Sequence, residues 1–316
     1  MLVALINSFN RCDLLDGSLS TLAENLKRLP VPTAILVFDA GSKDGSREFV
    51  KKFAETSPVP VHLYEASKDE DTSFSAGLNT AAKEANKLYP QVERYFIYET
   101  DNFLKNPDAI PKAMAFMDEH ADVAVVGFTC QKHAGHFTGS GDKFPTPWEF
   151  ILSPPVVMRL RDKTGRGENT LREGKEWYWS DVVYSSPILV RRKGWEAVGG
   201  FDPVNIPFAE ADYDLAWRLR KKGWKEAILC IEGVIHDNRS VLSEWSQTRA
   251  RRFHQARYHL MKMHYGSWIG WMKPFLFLRH LAEVLLLAIK APFIEKGGKR
   301  LAARWKLLTS VFNAYN

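Results

Sequence analysis

The strongest constraint on this chain is an alternation. Short apolar runs recur through its first hundred residues, each followed by a stretch with helical spacing. LVALIN (2–7) leads through a polar turn to LSTLAENLKRL (19–29), TAILVFD (33–39) to SREFVKKFAET (46–56), and VPVHLYEA (59–66) to SAGLNTAAKEANKLY (75–89), before RYFIYET (94–100) closes the series. Strands joined through helices run parallel, because each crossover returns the chain to the same edge of the sheet. Ligands of such sheets sit beyond the carboxyl ends of the strands. The expected fold is therefore α/β, a Rossmann-like, mainly parallel mixed sheet flanked by helices.

The later chain continues in the same manner. PDAIPKAMAFMDEH (107–120) is helical in spacing, ADVAVVGFTC (121–130) and VVYSSPILVRR (182–192) are strand-like, and AILCIEGVI (227–235) is a further strand. AEADYDLAWRLRKKG (209–223) has a helical period stopped by Gly223. Residues 133–175 lack a period, as a functional or disordered loop does. Trp148, Trp177, Tyr178 and Trp179 lie around that segment, either as stacking surfaces for a sugar or as core.

With 45% hydrophobic and 25% charged residues in 316, the chain has material for a large core and excludes the disordered and fibrous classes. Cys12, Cys130 and Cys230 are far apart and odd in number, so neither a disulfide framework nor a zinc site is expected, and they read as buried thiols in a reducing compartment. Met1 leads into LVALIN without a basic region or a cleavage site, so no secretory signal is expected and the expected location is the cytoplasm. The net charge of +6 is uneven: from Gln247 onward there are 13 Lys and Arg against two acids, a surplus of +11 that leaves −5 for residues 1–246. The expected division is a domain over 1–245 and a basic, amphipathic helical extension over 246–316.

That extension carries WIGWMKPFLFLRHLAEVLLLAIKAPF (268–293), in which Arg279, His280, Glu283 and Lys290 interrupt every span long enough to cross a bilayer. Two arrangements suit this pattern: a helix lying in the interface of an anionic membrane, or a helix pair packed on the domain. The apolar content argues against nucleic acid as a partner. RARRFHQAR (249–257) suits a phosphate or the solvated face of a helix.

Two acidic motifs fall at strand ends. Asp39 opens DAGSKDGS (39–46), where a carboxylate can accept hydrogen bonds from a base or ribose, or simply cap the turn. Glu99-Thr100-Asp101 follows RYFIY, and paired carboxylates there can hold Mg²⁺ or Mn²⁺ against a diphosphate. With LINSFNR before them and Gly199-Gly200-Phe201-Asp202, Asp212-Tyr213-Asp214-Leu215, Arg218, His236 and Ser240 after, the landmarks stand in a definite order.

In that order the chain resembles the family 2 glycosyltransferases of the GT-A fold, from Leu2 to about Ser240. The resemblance implies a nucleotide diphosphate sugar as donor, Asp39 at its base, Glu99 near its ribose, Asp101 and His236 as metal ligands, and Asp212 as the catalytic base of an inverting transfer. Asn10, Arg11, Ser42, Asp44 and Asn79 complete the donor-binding set. The basic, apolar extension adds the expectation that the hydroxyl acceptor is a surface glycan or lipid-linked saccharide, met at the inner face of the cell membrane.

The chain departs from the family pattern at Asp71-Thr72-Ser73-Phe74, at Ala211 before the base, and at Ser185-Ser186 before the strand ILVRR. Two other readings stand beside this one. A sugar nucleotidyltransferase needs a Gly- and Arg-rich loop after the first strand, which SFNRCDLLDG is not. A non-catalytic nucleotide- or sugar-binding protein on the same fold is favoured by Ala211 and opposed by Asp101, Asp212 and His236.

Overall fold

The computed structural model describes residues 1–133, 135, 137, 139–152, 154–163, 175–185, 187–236 and 247–314. Ser186, Ser240 and the expected boundary at 245/246 lie outside the described residues, as do the side chains of Arg249 and Arg251. The chain divides into two compact units, Met1–Lys143 with Glu168–Asp237, and Phe144–Gly167 with Asn238–Asn316.

The first unit is a sheet of eight strands: β1 (Leu2–Ser8), β2 (Thr33–Asp39), β3 (Val61–Glu65), β4 (Arg94–Ile97), β6 (Val123–Phe128), β8 (Trp177–Ser180), β10 (Ile188–Arg191) and β11 (Lys225–Leu229). Their order across the sheet is β3-β2-β1-β4-β10-β6-β11-β8. Pairing is parallel except where β10 runs against β4 and β6, and β8 against β11. Small two-stranded sheets join β5 (Asn102–Leu104) to β12 (Val234–His236) and β7 (Gly141–Asp142) to β9 (Val182–Val183).

Burial explains why the strands read as unbroken apolar runs. Helices cover both faces, so β1 and β2 are closed to solvent along nearly their whole length. Leu2, Ala4 and Ile6 of β1 share one core with Leu15, Leu19 and Leu22 of α1 (Cys12–Lys27). On the opposite face lies α3 (Phe74–Leu88), where Gly77 presses so close that an added Cβ would sit 2.8 Å from Asn7 Nδ2. The other helices of this unit are α2 (Ser46–Thr56), α4 (Ala109–Glu119), α7 (Arg192–Val198) and α8 (Ala211–Lys221).

Three boundaries differ from the sequence reading. Helix α1 starts at Cys12 rather than near residue 19, because Asp44 Oδ2 accepts the Cys12 N–H at 2.9 Å and caps the helix from a loop 32 residues away. The strand expected over 182–192 divides into β9 and β10 and gives way to α7 at Arg192. The strand expected over 227–235 is cut by Gly233, whose φ of 81° is closed to most side chains without strain. Cysteine burial is also corrected: all three thiols are free, but only Cys130 is buried.

The second unit is helical. It comprises α5 (Pro147–Ile151), α6 (Pro154–Lys163), α9 (Gln247–Tyr265), α10 (Met272–Lys290) and α11 (Gly297–Ala314). Thr146 and Glu149 form a reciprocal cap at the start of α5, and Glu149 also meets Arg161 at 3.1 Å. Phe150, Tyr258, Met261, Ile269, Met272, Leu276 and Val311 form its core. Beside them Glu283 lies 3.1 Å from each of Arg279, His280 and Arg304. Burial alone would raise its pKa, but the His280 hydrogen bond and the two arginine charges overcome that and hold it at about 2.

Candidate active site

Strands β1 and β2 end side by side, with Ser8 opposite Asp39. The loops that follow them are knitted together. Asn10, in the left-handed region at φ 50°, donates its N–H to Ser42 Oγ at 2.9 Å, while its Oδ1 accepts the Lys43 N–H at 2.8 Å. Ser46 Oγ accepts the Arg11 N–H at 3.2 Å, and Asp44 takes Cys12 with one oxygen and Ser46 with the other. Asn10, Ser42 and Asp44 thus form the frame of the loop pair.

Asp39 is held differently. Its Oδ1 accepts from the Gly41 N–H (3.1 Å), the Ser42 N–H (2.8 Å) and Arg47 Nε (2.7 Å), whereas Oδ2 has no partner among the described residues. One oxygen thus fixes the orientation of the carboxylate. Arg47, which also reaches Glu65 at 3.3 Å, was not singled out in the sequence. Its signal is weak, since an Arg in the first turn of a helix is ordinary.

The turn Glu99-Thr100-Asp101-Asn102 leaves the end of the central strand β4. Asn102 closes it, taking the Glu99 N–H on Oδ1 at 2.8 Å and returning its own N–H to the Glu99 carbonyl at 3.0 Å. Antiparallel pairing of β5 with β12 sets His236 opposite Asn102, one residue beyond Asp101. His236 Nε2 consequently lies 3.6 Å from Asp101 Oδ1, and Glu99, Asp101 and His236 each bring a ligand atom within 4.8 Å of the others.

This trio fits a divalent cation. Asp101 is only 4% exposed, and its Oδ1 is buried without a hydrogen-bond donor, an arrangement that is costly unless something cationic meets it. Two carboxylates and an imidazole suit Mn²⁺, and carboxylate with water suits Mg²⁺. Glu99 is pushed up to about 8 by burial first, then by the charges of Asp101 and Asp212, with Arg11 opposing them. A cation bound among these acids would favour their ionised forms and oppose that rise.

Asp212 stands in the first turn of α8, behind Glu210, a buried non-glycine residue at φ 70°. Backbone strain of this kind collects where a side chain must be aimed. Burial raises the Asp212 pKa to about 7, against the pull of the Ser185 hydrogen bonds and with a further push from Glu210. Ser185 Oγ donates to Asp212 Oδ1 at 2.5 Å. The sequence showed Ser185 only as a departure from pattern; its partnership with Asp212 is a finding of the fold.

Asp214, two residues on, points elsewhere. It is fully buried and binds Arg218 at 2.7 and 2.6 Å, and Arg218 Nη1 reaches the carbonyls of Val198 and Gly200. The Asn79 amide engages the same turn: Nδ2 donates to the Phe201 carbonyl at 2.9 Å, and Oδ1 accepts the Phe201 N–H at 3.0 Å. The aromatic residues do not form one platform. Tyr178 is core, Trp177 and Trp179 meet edge to face on strand β8, and Trp148 belongs to the second unit on α5.

This sheet order, with an acid after β2 and a carboxylate turn after β4, is the GT-A nucleotide-sugar fold. A model of glycosyl transferase family 2 matches residues 4–193, and the chain belongs to that family.

Among solved structures it resembles the mannosyltransferase PcManGT from Pyrobaculum calidifontis in complex with GDP-Man and Mn²⁺, at TM-score 0.56 and 18% identity over 99% of this chain and 85% of that one. It also resembles residues 1–349 of S. aureus TarS in complex with UDP-GlcNAc, at TM-score 0.54 and 13% identity over 99% and 72%. Such identities speak for the fold alone. The uncharacterised protein MJ0544 of Methanocaldococcus jannaschii is 26% identical over 133 residues, 42% of this chain and 53% of the relative, so the match spans about half of that protein.

Proposed function

We propose that the protein moves a single sugar from a nucleoside diphosphate sugar to a hydroxyl of a glycan or lipid-linked saccharide, with inversion at the anomeric carbon. The observation that carries this reading is the meeting of Glu99, Asp101 and His236 at a strand end within electrostatic reach of Asp212. Asp101, His236 and Glu99 would hold Mg²⁺ or Mn²⁺, which when bound supplies positive charge against the departing diphosphate. Asp39 offers its open oxygen to the base of the nucleotide, and Arg11 adds positive charge beside Glu99. The relatives solved with GDP-Man and with UDP-GlcNAc support a donor of this class.

Asp212 takes the proton of the acceptor hydroxyl as that oxygen bonds to the anomeric carbon. The bond from the same carbon to the diphosphate breaks, and the nucleoside diphosphate leaves. A carboxylate with a pKa near 7 suits this work, because it is basic enough to take the proton and still half ionised at neutral pH. The basic second unit would bring the enzyme to the anionic cytoplasmic face of the membrane, where acceptors of this class are presented.

The test is a donor screen: UDP-, GDP- and dTDP-sugars with Mn²⁺ or EDTA, scored by nucleoside diphosphate release from wild type and Asp101→Ala, with calorimetry of donor binding alongside. Metal-dependent release lost in the variant supports the reading. Neither release nor metal-dependent binding of any donor would sink it. Binding without release, even with glycan and lipid-linked acceptors added, would make the protein a binder instead.

A further inference from the structure

We propose that the end of the α10–α11 hairpin is a docking tip for a bilayer surface rich in anionic phospholipid. The proposal extends the membrane part of the reading above and stands apart from its donor chemistry.

Helix α10 is apolar on two opposite sides. Met272, Leu276, His280 and Val284 are buried within the second unit. On the other side Leu278 is 59% exposed, Leu285 59%, Leu286 58% and Ile289 71%, and Phe293 just beyond the helix reaches 86%. At 100° per residue these outward positions, with Phe275, fall within an arc of about 100° and run for about 20 Å. Single exposed leucines are ordinary, but an aligned stripe of large apolar side chains marks a surface that meets something. No helix among the described residues is long and apolar enough to cross a membrane, so a contact along the surface remains.

Charge selects the occupant. Lys290, Lys296, Lys299 and Arg300 are exposed around the tip, and Glu295 is the one acid between Val284 and Lys306. A second copy docking through this face would set bases against bases, because a two-fold contact pairs a patch with itself. A leaflet of anionic lipid meets both features at once: its headgroups neutralise the bases, and its interfacial region receives Leu286, Ile289 and Phe293. Trp305, 55% exposed on α11, adds an aromatic ring of the kind found at such interfaces.

The experiment is flotation of the full chain with phosphatidylcholine vesicles and with vesicles containing phosphatidylglycerol, at low and high salt. Wild type should float with the anionic vesicles only and be released by salt. Each base removed should weaken partition about fivefold, so Lys296→Gln with Arg300→Gln should cost about 25-fold. Ile289→Ser with Phe293→Ser should cost about tenfold or more even at low salt. Donor release in solution, measured on the same samples, should be unchanged, which separates failure of the tip from failure of the enzyme reading. Wild type that ignores anionic vesicles, or partition unmoved by both variants, would overturn the proposal. So would a concentration-dependent dimer in sedimentation that the Ile289/Phe293 variant abolishes.

Discussion

The Ser185–Asp212 contact makes a quantitative prediction. Burial sets the Asp212 carboxyl at about 7 although two hydrogen bonds from Ser185, one from its hydroxyl and one from its backbone, pull it down. Replacing Ser185 by Ala removes only the hydroxyl bond, which at 2.5 Å to a charged oxygen contributes about 1.5–3 kcal/mol. At 1.36 kcal/mol per pKa unit, the Asp212 pKa should rise by about 1–2 units, to about 8–9. A base works only when ionised, so activity rises with pH through its pKa. At pH 7 wild type is half ionised and the variant about a tenth to a hundredth ionised, a loss of about 5- to 50-fold. The assay is kcat/KM for nucleoside diphosphate release from pH 5.5 to 9.5. The midpoint should move alkaline while the high-pH plateau stays within about twofold of wild type, and Ser185→Thr should restore the original midpoint. An equal loss at every pH, with the midpoint unmoved, would show that Ser185 supports the structure and not the ionisation of Asp212.

Other consequences follow from the same geometry. Mn²⁺ should raise the melting temperature of wild type by binding the native state alone, and Asp101→Asn should abolish that rise; calorimetric scans with and without EDTA decide it. Gly200→Ala should destabilise the protein by about 2 kcal/mol or more, since Gly200 sits at φ 73° and an added Cβ would come within 2.4 Å of Asn79 Oδ1; urea unfolding reads the loss. Arg218→Ala should cost about 3–5 kcal/mol by removing the counter-charge of buried Asp214, with a lowered urea midpoint as the measure. Glu226, buried on β11 and accepting the Val183 N–H at 2.7 Å, has its pKa raised well above the ordinary value, chiefly by burial. Its folded form keeps a proton that the unfolded chain has lost, so its contribution to stability falls as pH rises from about 4.5 upward. Glu226→Gln should therefore gain in melting temperature over wild type as pH increases; a constant gap would contradict this.

Much of the first unit was legible because covered strands must be apolar and their ends must be polar. β1, β2 and β4 declared themselves as runs too apolar for any exposed place, and Asp39 and Glu99-Thr100-Asp101 stood where those runs stopped. The start of α1 was not legible, since its cap comes from Asp44 on another loop. Nor was the task of Asn79: an Asn on a helix gives no sign that it will hold the backbone of residue 201. The segment Phe144–Gly167 looked aperiodic, yet it clusters with the C-terminal helices, an affinity that rests on contacts such as Arg279 to the Phe150 carbonyl across 129 residues.

By itself the sequence determined the α/β alternation, the acids at the strand ends and the uneven charge, because these follow from local periodicity and composition. Only the tertiary structure decided how those acids behave. The pairing of β5 with β12 brings His236 to Asp101, and desolvation of the half-buried Glu99 and Asp212 raises their pKa values to about 8 and about 7. The folding of α10 on its neighbours likewise decided which of its two apolar sides faces outward. Proximity between residues more than a hundred positions apart, and the loss of water around them, are properties of the assembled core and have no counterpart in any local stretch of chain.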